Sequence, residues 1–205
     1  GTLLGALPAG ALRPPPASNT VGVTEVKGAG PPRATLQVKD PARITALQLT
    51  DLHFFAPPSM LKRDERTLEE LPRLIEHTQP DLLLVTGDLW HDNPDQRGAE
   101  FMHFGIEQIE SYGLPWVFVW GNHDMLDDYA AGHRALTEAK HSLYAGGRTG
   151  GHYQVDLVDA EGAVRWELSC LNSSDRGAGE QARAWLQTLA ATRVGAERPP
   201  ALGVI

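Results

Sequence analysis

The sequence predicts an α/β protein in which parallel strands alternate with helices. Three apolar runs, at residues 44–50, 82–86 and 116–120, are separated by two stretches whose apolar residues recur at helical spacing. Strand–helix–strand–helix–strand is the order that builds a parallel sheet with right-handed crossovers. With 205 residues and 41% hydrophobic content, the chain can bury one sizeable core.

The first half of the chain has the clearer element boundaries. We predict five alternating elements there: a strand over 44–50, a helix over 64–78, a strand over 82–86, a helix over about 96–111 and a strand over 116–120. The run 82–86 is apolar throughout, which is typical of a strand buried on both faces. Pro72 lies inside the first helix, where we expect it to cause a kink or a later start.

The second half is less regular. We predict a helix over 129–140, two antiparallel strands over 152–158 and 164–171, an amphipathic helix over 179–191 and a strand over 201–205. The sequence stops inside that last predicted strand. We therefore expect that the C-terminal part of the domain is missing from this chain.

Residues 1–34 differ in composition from the remainder of the chain. They are rich in Pro and Gly, with few charges and few large apolar side chains. We predict a leader and an extended linker without a core, followed by a folded domain over 35–205. The apolar residues 1–12 resemble part of an export signal, and a disordered tail is an equal alternative. We expect a periplasmic or secreted protein, and otherwise a cytoplasmic one.

The formal net charge of −8 argues against non-specific binding to nucleic acid or to a membrane surface, because both are polyanionic. Divalent metals would reverse the sign locally, so a phosphorylated substrate remains compatible with an acidic protein. We expect no membrane span. The single cysteine, Cys170, excludes an intrachain disulfide. The oligomeric state does not follow from the sequence.

Side chains suited to metal binding follow each of the three strands in the first half. They are Asp51, His53, Asp88 and Asn122. We expect them to converge, because ligands collect beyond the carboxyl ends of parallel strands. Alternation along an extended strand would point Asp51 and His53 the same way. A mixture of oxygen and nitrogen ligands suits Mn, Fe, Zn or Co rather than Ca.

Two further residues, His123 and Asp124, directly follow the candidate ligand Asn122. The imidazole of His123 can donate a proton or a hydrogen bond to a leaving oxygen or to a phosphate oxygen. We expect Asp124 to hold the tautomer of that imidazole and to raise its basicity. Two ions about 3.5–4 Å apart would hold a bridging hydroxide that attacks phosphorus in line with the leaving group.

The segments 51–53, 87–88 and 121–124 read Asp-Leu-His, Gly-Asp and Gly-Asn-His-Asp. In this order they resemble the first three motifs of the calcineurin-like metallophosphoesterase superfamily, and the match covers residues 44–124. The resemblance implies an αββα sandwich, here only its N-terminal portion, with a dinuclear metal centre and phosphoester hydrolysis. It also implies residue roles: Asp51 and His53 on the first metal, Asp88 bridging, Asn122 on the second, and His123 catalytic with Asp124 behind it.

A closer resemblance is to the branch related to purple acid phosphatases but lacking their N-terminal domain. The segments that carry it are 119–124, 141–144, 150–153 and 171–173. Purple acid phosphatases have a metal-binding Tyr three residues after the bridging Asp, where this chain has His91. We interpret His91 as a substrate contact or an outer-shell group, with a solvated loop residue as an equal alternative. Gly151-His152 comes too early in the chain and begins a predicted strand, so we do not expect it to supply a further metal ligand.

Three functional hypotheses remain open. The first is a metal-dependent phosphoester hydrolase, most simply a phosphomonoesterase, with two ions of Mn, Fe or Zn. The second is a phosphodiesterase or nuclease, because residues 87–93 resemble the second motif of a double-strand-break repair nuclease. The third is a truncated or non-catalytic relative that binds at most one metal, because four recognised ligands are too few for two firmly held ions.

Overall fold

The computed structural model describes residues 20–26, 31–173, 179–193 and 199–205. In these ranges it contains eight strands and four α-helices. The strands are β1 (Thr20–Val26), β2 (Arg33–Val38), β3 (Ala46–Leu49), β4 (Leu82–Thr86), β5 (Trp116–Val119), β6 (Tyr153–Val158), β7 (Val164–Cys170) and β8 (Ala201–Val204). The helices are α1 (Lys62–Thr78), α2 (Gly98–Glu110), α3 (Tyr129–Glu138) and α4 (Glu180–Arg193).

The strands of the first half form a three-stranded parallel sheet in the order β3-β4-β5. Ala46 pairs with Leu82, and Leu83 pairs with Trp116. The helices α1 and α2 connect these strands, as the alternating pattern predicts. The central strand β4 has four consecutive buried apolar residues, because a central parallel strand is covered on both faces. The prediction of a mixed α/β fold with parallel strands is confirmed.

A second sheet has five strands in the order β1-β2-β6-β7-β8. The β1/β2 and β6/β7 pairs are antiparallel, and the β2/β6 and β7/β8 pairs are parallel. The antiparallel pairing predicted for the two strands now defined as β6 and β7 is therefore confirmed.

The position of β1 corrects the predicted linker over residues 1–34. Thr20–Val26 is a strand that pairs with β2, so the sheet begins well before residue 35. Its sequence is rich in Val and Thr, which favour strands, but the surrounding Pro and Gly concealed that signal. The predicted export signal lies in residues 1–19, outside the described ranges.

The two sheets meet across Phe118 on β5 and Tyr153 on β6. The buried hydroxyl of Tyr153 donates to the carbonyl oxygen of Phe118 and accepts from its backbone N–H, both at 2.9 Å. Burial raises the pKa of Tyr153 well above its usual value. The ring of Tyr144 contacts both Phe118 and Tyr153. The contacts of Tyr153 and Tyr144 with Phe118 hold the end of β5 against the second sheet. They also hold the start of the loop that follows β5.

The helix α1 is defined at both ends by local interactions. At its start the carboxylate of Asp64 accepts a hydrogen bond from the backbone N–H of Leu61 at 2.6 Å. At its end Gln79 has a left-handed backbone with φ of 49°, which is a common way for a helix to stop. Pro72 lies inside α1, which nevertheless continues to Thr78.

The last described helix, α4, packs against the end of β7. Trp185 and Leu189 form a small buried cluster with Leu171, as the helical spacing of the apolar residues predicts. None of the helices in the described ranges combines the length and the apolar character that a bilayer crossing requires.

Candidate metal centre

The loops that follow β3, β4 and β5 are joined through backbone hydrogen bonds. The N–H of Asp51 donates to the carbonyl of Gly87 at 3.2 Å, and the N–H of His53 donates to the carbonyl of Asp88 at 2.8 Å. The N–H of His123 donates to the carboxylate of Asp88 at 2.8 Å. These bonds bring the polar residues of three separate loops to one place at the carboxyl edge of the sheet.

Asp51, His53 and Asp88 form the first group of potential ligands. One donor atom from each lies within 4.8 Å of the other two. The Nε2 atom of His53 is 3.6 Å from Oδ1 of Asp51 and 3.9 Å from Oδ2 of Asp88. Three donors spaced around a common point, rather than bonded to one another, are an arrangement that a metal ion can occupy. These are the residues predicted to hold the first ion, and the structure brings them together.

His91, Asp92 and His123 form a second group. The Nδ1 atom of His123 is 2.7 Å from Oδ1 of Asp92, and Nε2 of His91 is 3.4 Å from Oδ2 of the same carboxylate. The two imidazole rings stack with centroids 5.0 Å apart. Asp92 therefore contacts both histidines, although the sequence did not single it out. Its only sequence signal is its place four residues after Asp88.

The two groups are joined by His91 and His53, whose Nδ1 atoms are 3.2 Å apart. One of these nitrogens carries the hydrogen and the other accepts it. If Nδ1 of His53 is engaged in this way, its Nε2 is the nitrogen left to face Asp51 and Asp88. The structure thus places His91 in the cluster formed by the two groups, in contact with His53 and Asp92. Its role as a substrate contact or an outer-shell group remains a prediction.

Asp124 is where the structure corrects the sequence prediction. Its carboxylate is 1% exposed and accepts hydrogen bonds from the backbone N–H groups of Asp88, Trp90 and Gly121 at 2.9, 3.2 and 2.7 Å. The prediction that Asp124 holds the tautomer of His123 is wrong, because this side chain points into the backbone of the neighbouring loops and Nδ1 of His123 contacts Asp92 instead. The charge of Asp124 still contributes to raising the pKa of His123. Burial raises the pKa of Asp124 to about 7, and the three N–H donors oppose that rise.

Asn122 is exposed and lies between Gly121 and His123. Gly121 approaches Asp88 so closely that a Cβ at this position would lie 2.1 Å from Oδ1 of Asp88. The close approach explains why glycine precedes Asn122, and it keeps that residue beside the predicted bridging carboxylate. The role of Asn122 as a ligand of a second ion remains a prediction.

The pKa values of His123 and His91 are shifted in opposite directions. The hydrogen bond that Nδ1 of His123 donates to the carboxylate of Asp92 is the main reason that the pKa of His123 lies above 6.5. Burial is the main reason that the pKa of His91 lies below 6.5, and the charges of His53, His123 and Arg63 add to the lowering while Asp92 opposes it. At a given pH a larger fraction of His123 than of His91 is therefore protonated.

Four non-glycine residues of the cluster have a left-handed backbone: Asp51, His53, Asp88 and Asp92, with φ of 55°, 49°, 54° and 53°. Such a conformation costs about 1 kcal/mol or more for each residue and concentrates at functional sites. It also changes one expectation. Asp51 and His53 follow β3 instead of extending it, so turns rather than strand alternation point their side chains at Asp88.

Other histidines have separate structural roles. The Nδ1 atom of buried His152 accepts a hydrogen bond from the backbone N–H of Asn172 at 3.1 Å, and burial lowers the pKa of His152. The Nδ1 atom of His133 lies 2.6 Å from the hydroxyl of Tyr144. Over the described part of the chain, neither ring belongs to the two ligand groups. The exclusion of Gly151-His152 as a ligand motif agrees with this arrangement.

Comparison with known proteins gives a family match. Residues 44–189 match the model of the family described as calcineurin-like phosphoesterase. The chain is 34% identical over 142 residues to the 3′,5′-cyclic adenosine monophosphate phosphodiesterase CpdA of Escherichia coli K12, which covers 66% of this chain and 49% of that protein. It is also 32% identical over 106 residues to the probable inactive purple acid phosphatase 28 of Arabidopsis thaliana, covering 45% of this chain and 26% of that protein.

Two solved structures are also similar. A dimetal phosphatase from Danio rerio aligns at 12% identity with a TM-score of 0.44, over 72% of this chain and 52% of the other. The nuclease MPE from Pseudomonas putida aligns at 19% identity with a TM-score of 0.34, over 73% of this chain and 66% of the other. At these scores neither structure contributes to the assignment. The chain spans about half the length of the CpdA protein that it matches.

Proposed function

The chain belongs to the calcineurin-like phosphoesterase family, and on that premise we propose that its cluster of loop residues binds divalent metal and hydrolyses a phosphodiester. The observation that carries the proposal is the convergence of Asp51, His53 and Asp88, whose donor atoms lie within 4.8 Å of one another. These residues come from two loops, and Asp88 is at least 35 positions from the other two in sequence. Chance convergence of that kind is uncommon outside functional sites.

The donor set fits a transition metal. Two carboxylates and an imidazole nitrogen suit Mn, Fe or Zn better than Ca, which prefers oxygen ligands alone. The Nδ1 contact between His53 and His91 orients the ligating ring, as outer-shell partners do in metal sites. Asp51 and His53 would hold one ion with Asp88, and Asp88 with Asn122 would hold a second. A bound metal neutralises phosphate oxygens and lowers the pKa of water.

The protein's own residues would handle the proton. His123 has a raised pKa because of Asp92, so its imidazole is protonated over a wider pH range than a free histidine. It is 37% exposed, which leaves it accessible to a substrate at the edge of the sheet. In the proposed reaction His123 donates a proton or a hydrogen bond to the leaving oxygen, and Asp92 holds the ring in position through Nδ1.

The choice of ester follows from the relatives. The sequence motifs alone made a phosphomonoester the simplest substrate. The similarity to a cyclic-nucleotide phosphodiesterase over 142 residues supports a phosphodiester first, and the monoester becomes the alternative. The acidic net charge still argues against a long nucleic acid as substrate, although a short or cyclic nucleotide carries too few charges to be repelled strongly.

The test compares wild type with Asp88→Asn after loading with Mn, Fe or Zn. We expect metal-stimulated hydrolysis of bis-p-nitrophenyl phosphate and of cyclic AMP, with weaker hydrolysis of p-nitrophenyl phosphate. Asp88→Asn keeps the size of the side chain but removes the charge, so it should lose bound metal and turnover together. The matched control is Asp127→Asn, an exposed carboxylate outside both ligand groups.

Faster hydrolysis of the monoester than of the diesters would contradict phosphodiester specificity and support phosphomonoester hydrolysis instead. Absence of metal-stimulated turnover on every ester, with Asp88→Asn behaving as wild type, would contradict hydrolysis altogether. In that case metal analysis of the two proteins would show whether the cluster binds an ion without catalysis.

A further inference from the structure

One basic side chain lies at the rim of the cluster without a defined role. The guanidinium carbon of Arg63 is 5.6 Å from the ring centroid of Phe55, and the Phe55 ring is 5.1 Å from that of His91. The ring centroid of His91 is in turn 5.0 Å from those of His53 and His123. Arg63, Phe55 and His91 thus form a row of planar groups that leads outward from the metal ligands.

The buried carboxylate of Asp64 holds the side chain of Arg63 in position. Its Nε atom lies 3.7 Å from Oδ1 of Asp64, a side chain with 0% exposure. The other oxygen of Asp64 accepts from the N–H of Leu61, and Oδ1 has no hydrogen-bond partner among the residues that the structure describes. Asp64 therefore presents one buried negative oxygen to Arg63. A cation over an aromatic face beside a fixed anion loses less entropy when it binds a ligand than a free surface side chain does.

The outer end of the guanidinium is available. The Arg63 side chain is 52% exposed, and its ion-pair partner in the described ranges is Asp64 alone. A second arginine near the cluster, Arg97, is used differently. It pairs with both oxygens of Glu100 at 2.7 Å and also donates to the hydroxyl of Ser59. The contrast identifies Arg63 as the basic group of this rim that can still take an anion.

We propose that Arg63 binds a second anionic group, a phosphate or a carboxylate, on the part of the substrate that is not being hydrolysed. The inference rests on the proposed function, because it needs a phosphoester at the cluster. The scissile phosphate belongs at Asp51, His53 and Asp88, and Arg63 lies beyond both His91 and Phe55. A planar guanidinium matches the geometry of an oxyanion in a bidentate contact. Substrates with two separated negative groups should therefore be preferred over those with one.

The test measures binding, so it does not depend on turnover. Trimethylene diphosphonate and propylphosphonate share one phosphonate and differ in the presence of a second. With Mn-loaded wild type, calorimetric titration should show that the diphosphonate binds about ten-fold more tightly or better, as expected for one charge-assisted contact. Arg63→Ala should remove that preference. Arg63→Lys should retain part of it, because the ammonium keeps the charge but not the fork.

Arg73→Ala is the matched control. Arg73 is an exposed arginine on the same helix that pairs with Glu70 at 3.0 Å, and ten residues of helix separate it from Arg63 by about 15 Å. The Arg73→Ala variant loses the same charge as Arg63→Ala and should keep the preference for the diphosphonate. Because the preference is a ratio of two affinities measured on one sample, a partly unfolded variant does not change it. Arg63→Gln provides a second variant that retains more of the side chain above Asp64.

Absence of a preference in wild type, whether both phosphonates bind or neither does, would overturn the inference. Survival of the preference in Arg63→Ala would overturn it as well. A wild type that shows the preference but hydrolyses no ester would count against the proposed function and not against the role of Arg63. The two failures are therefore distinguishable.

Discussion

The Nδ1 atom of His123 lies 2.7 Å from the Oδ1 atom of Asp92, and the backbone carbonyl of His123 accepts a hydrogen bond from the N–H of Asp92 at 2.8 Å. The pair joins the loop after β4 to the loop after β5 through both backbone and side chains. Two reciprocal contacts fix the imidazole more firmly than the side-chain hydrogen bond alone would. The position of His123 therefore depends on a residue 31 positions earlier in the sequence.

Asp92→Asn should lower the pKa of His123 towards 6.5, because the hydrogen bond that the imidazole donates to the carboxylate is the main cause of its rise. The measurement is an NMR titration of the imidazole in metal-free protein. Asp95→Asn, which removes a charge three residues later in an exposed turn, should leave this pKa unchanged. An unchanged titration of His123 in Asp92→Asn would show that the carboxylate does not act on the ring.

The same pair predicts a pH dependence of stability. The pKa of His123 is raised above its unfolded value, so its stabilising contribution is fully present below pH about 6.5 and disappears as the pH rises through the folded pKa. In urea unfolding of metal-free protein, the difference between wild type and Asp92→Asn should be largest in mildly acidic buffer and smaller in alkaline buffer. A difference that grows with pH would contradict the assigned sign.

His91→Phe should weaken metal binding at Asp51, His53 and Asp88, none of which it replaces. The contact between the Nδ1 atoms of His91 and His53 orients the ligating ring, and loss of an outer-shell partner lowers metal affinity about 10–100-fold. Phenylalanine fills a similar volume beside Phe55. The measurement is competitive titration with a fluorescent metal chelator. His77→Phe, at an exposed position on α1, serves as control, and equal affinities in the two variants would refute the outer-shell role.

Asp124→Ala should destabilise the fold. The buried carboxylate satisfies three backbone N–H groups, and leaving such groups unpaired costs about 1–3 kcal/mol for each. We expect a loss of about 3 kcal/mol or more in the free energy of unfolding, measured by urea denaturation. Asp127→Ala, on an exposed carboxylate nearby, should change stability far less. A stable but inactive Asp124→Ala would instead restore a catalytic role for this residue.

Gly121→Ala should disturb the cluster more than its small size suggests. The added Cβ would lie 2.1 Å from Oδ1 and 2.4 Å from the backbone nitrogen of Asp88, so the carboxylate or its loop must move. We expect lower metal content by elemental analysis and a lower melting temperature. Gly179→Ala, where a Cβ meets no atom of the described residues within 4 Å, is the matched control. Full metal content in Gly121→Ala would show that Asp88 tolerates displacement.

Local patterns in the sequence were sufficient for most of the elements. The apolar run that forms β4 and the helical spacing in α4 both predicted their structures, because periodicity and apolar runs report directly on burial. The same patterns failed at β1, where Pro and Gly on either side outweighed a Val- and Thr-rich strand. They also failed for the geometry of Asp51 and His53, since left-handed turns have no reliable signature in residues other than glycine and asparagine.

The sequence by itself determined which residue types follow the strands: the carboxylates Asp51 and Asp88, the imidazoles His53 and His123, and the fold class that brings strand ends together. Only the tertiary structure decided how these residues are partnered. In the tertiary structure, the imidazole of His123 contacts the carboxylate of Asp92 instead of that of Asp124. The ring of His91 contacts that of His53. The reason is physical: a side chain's partner depends on loop direction in three dimensions, and a neighbour in sequence can point into the backbone while a residue from another loop makes the contact.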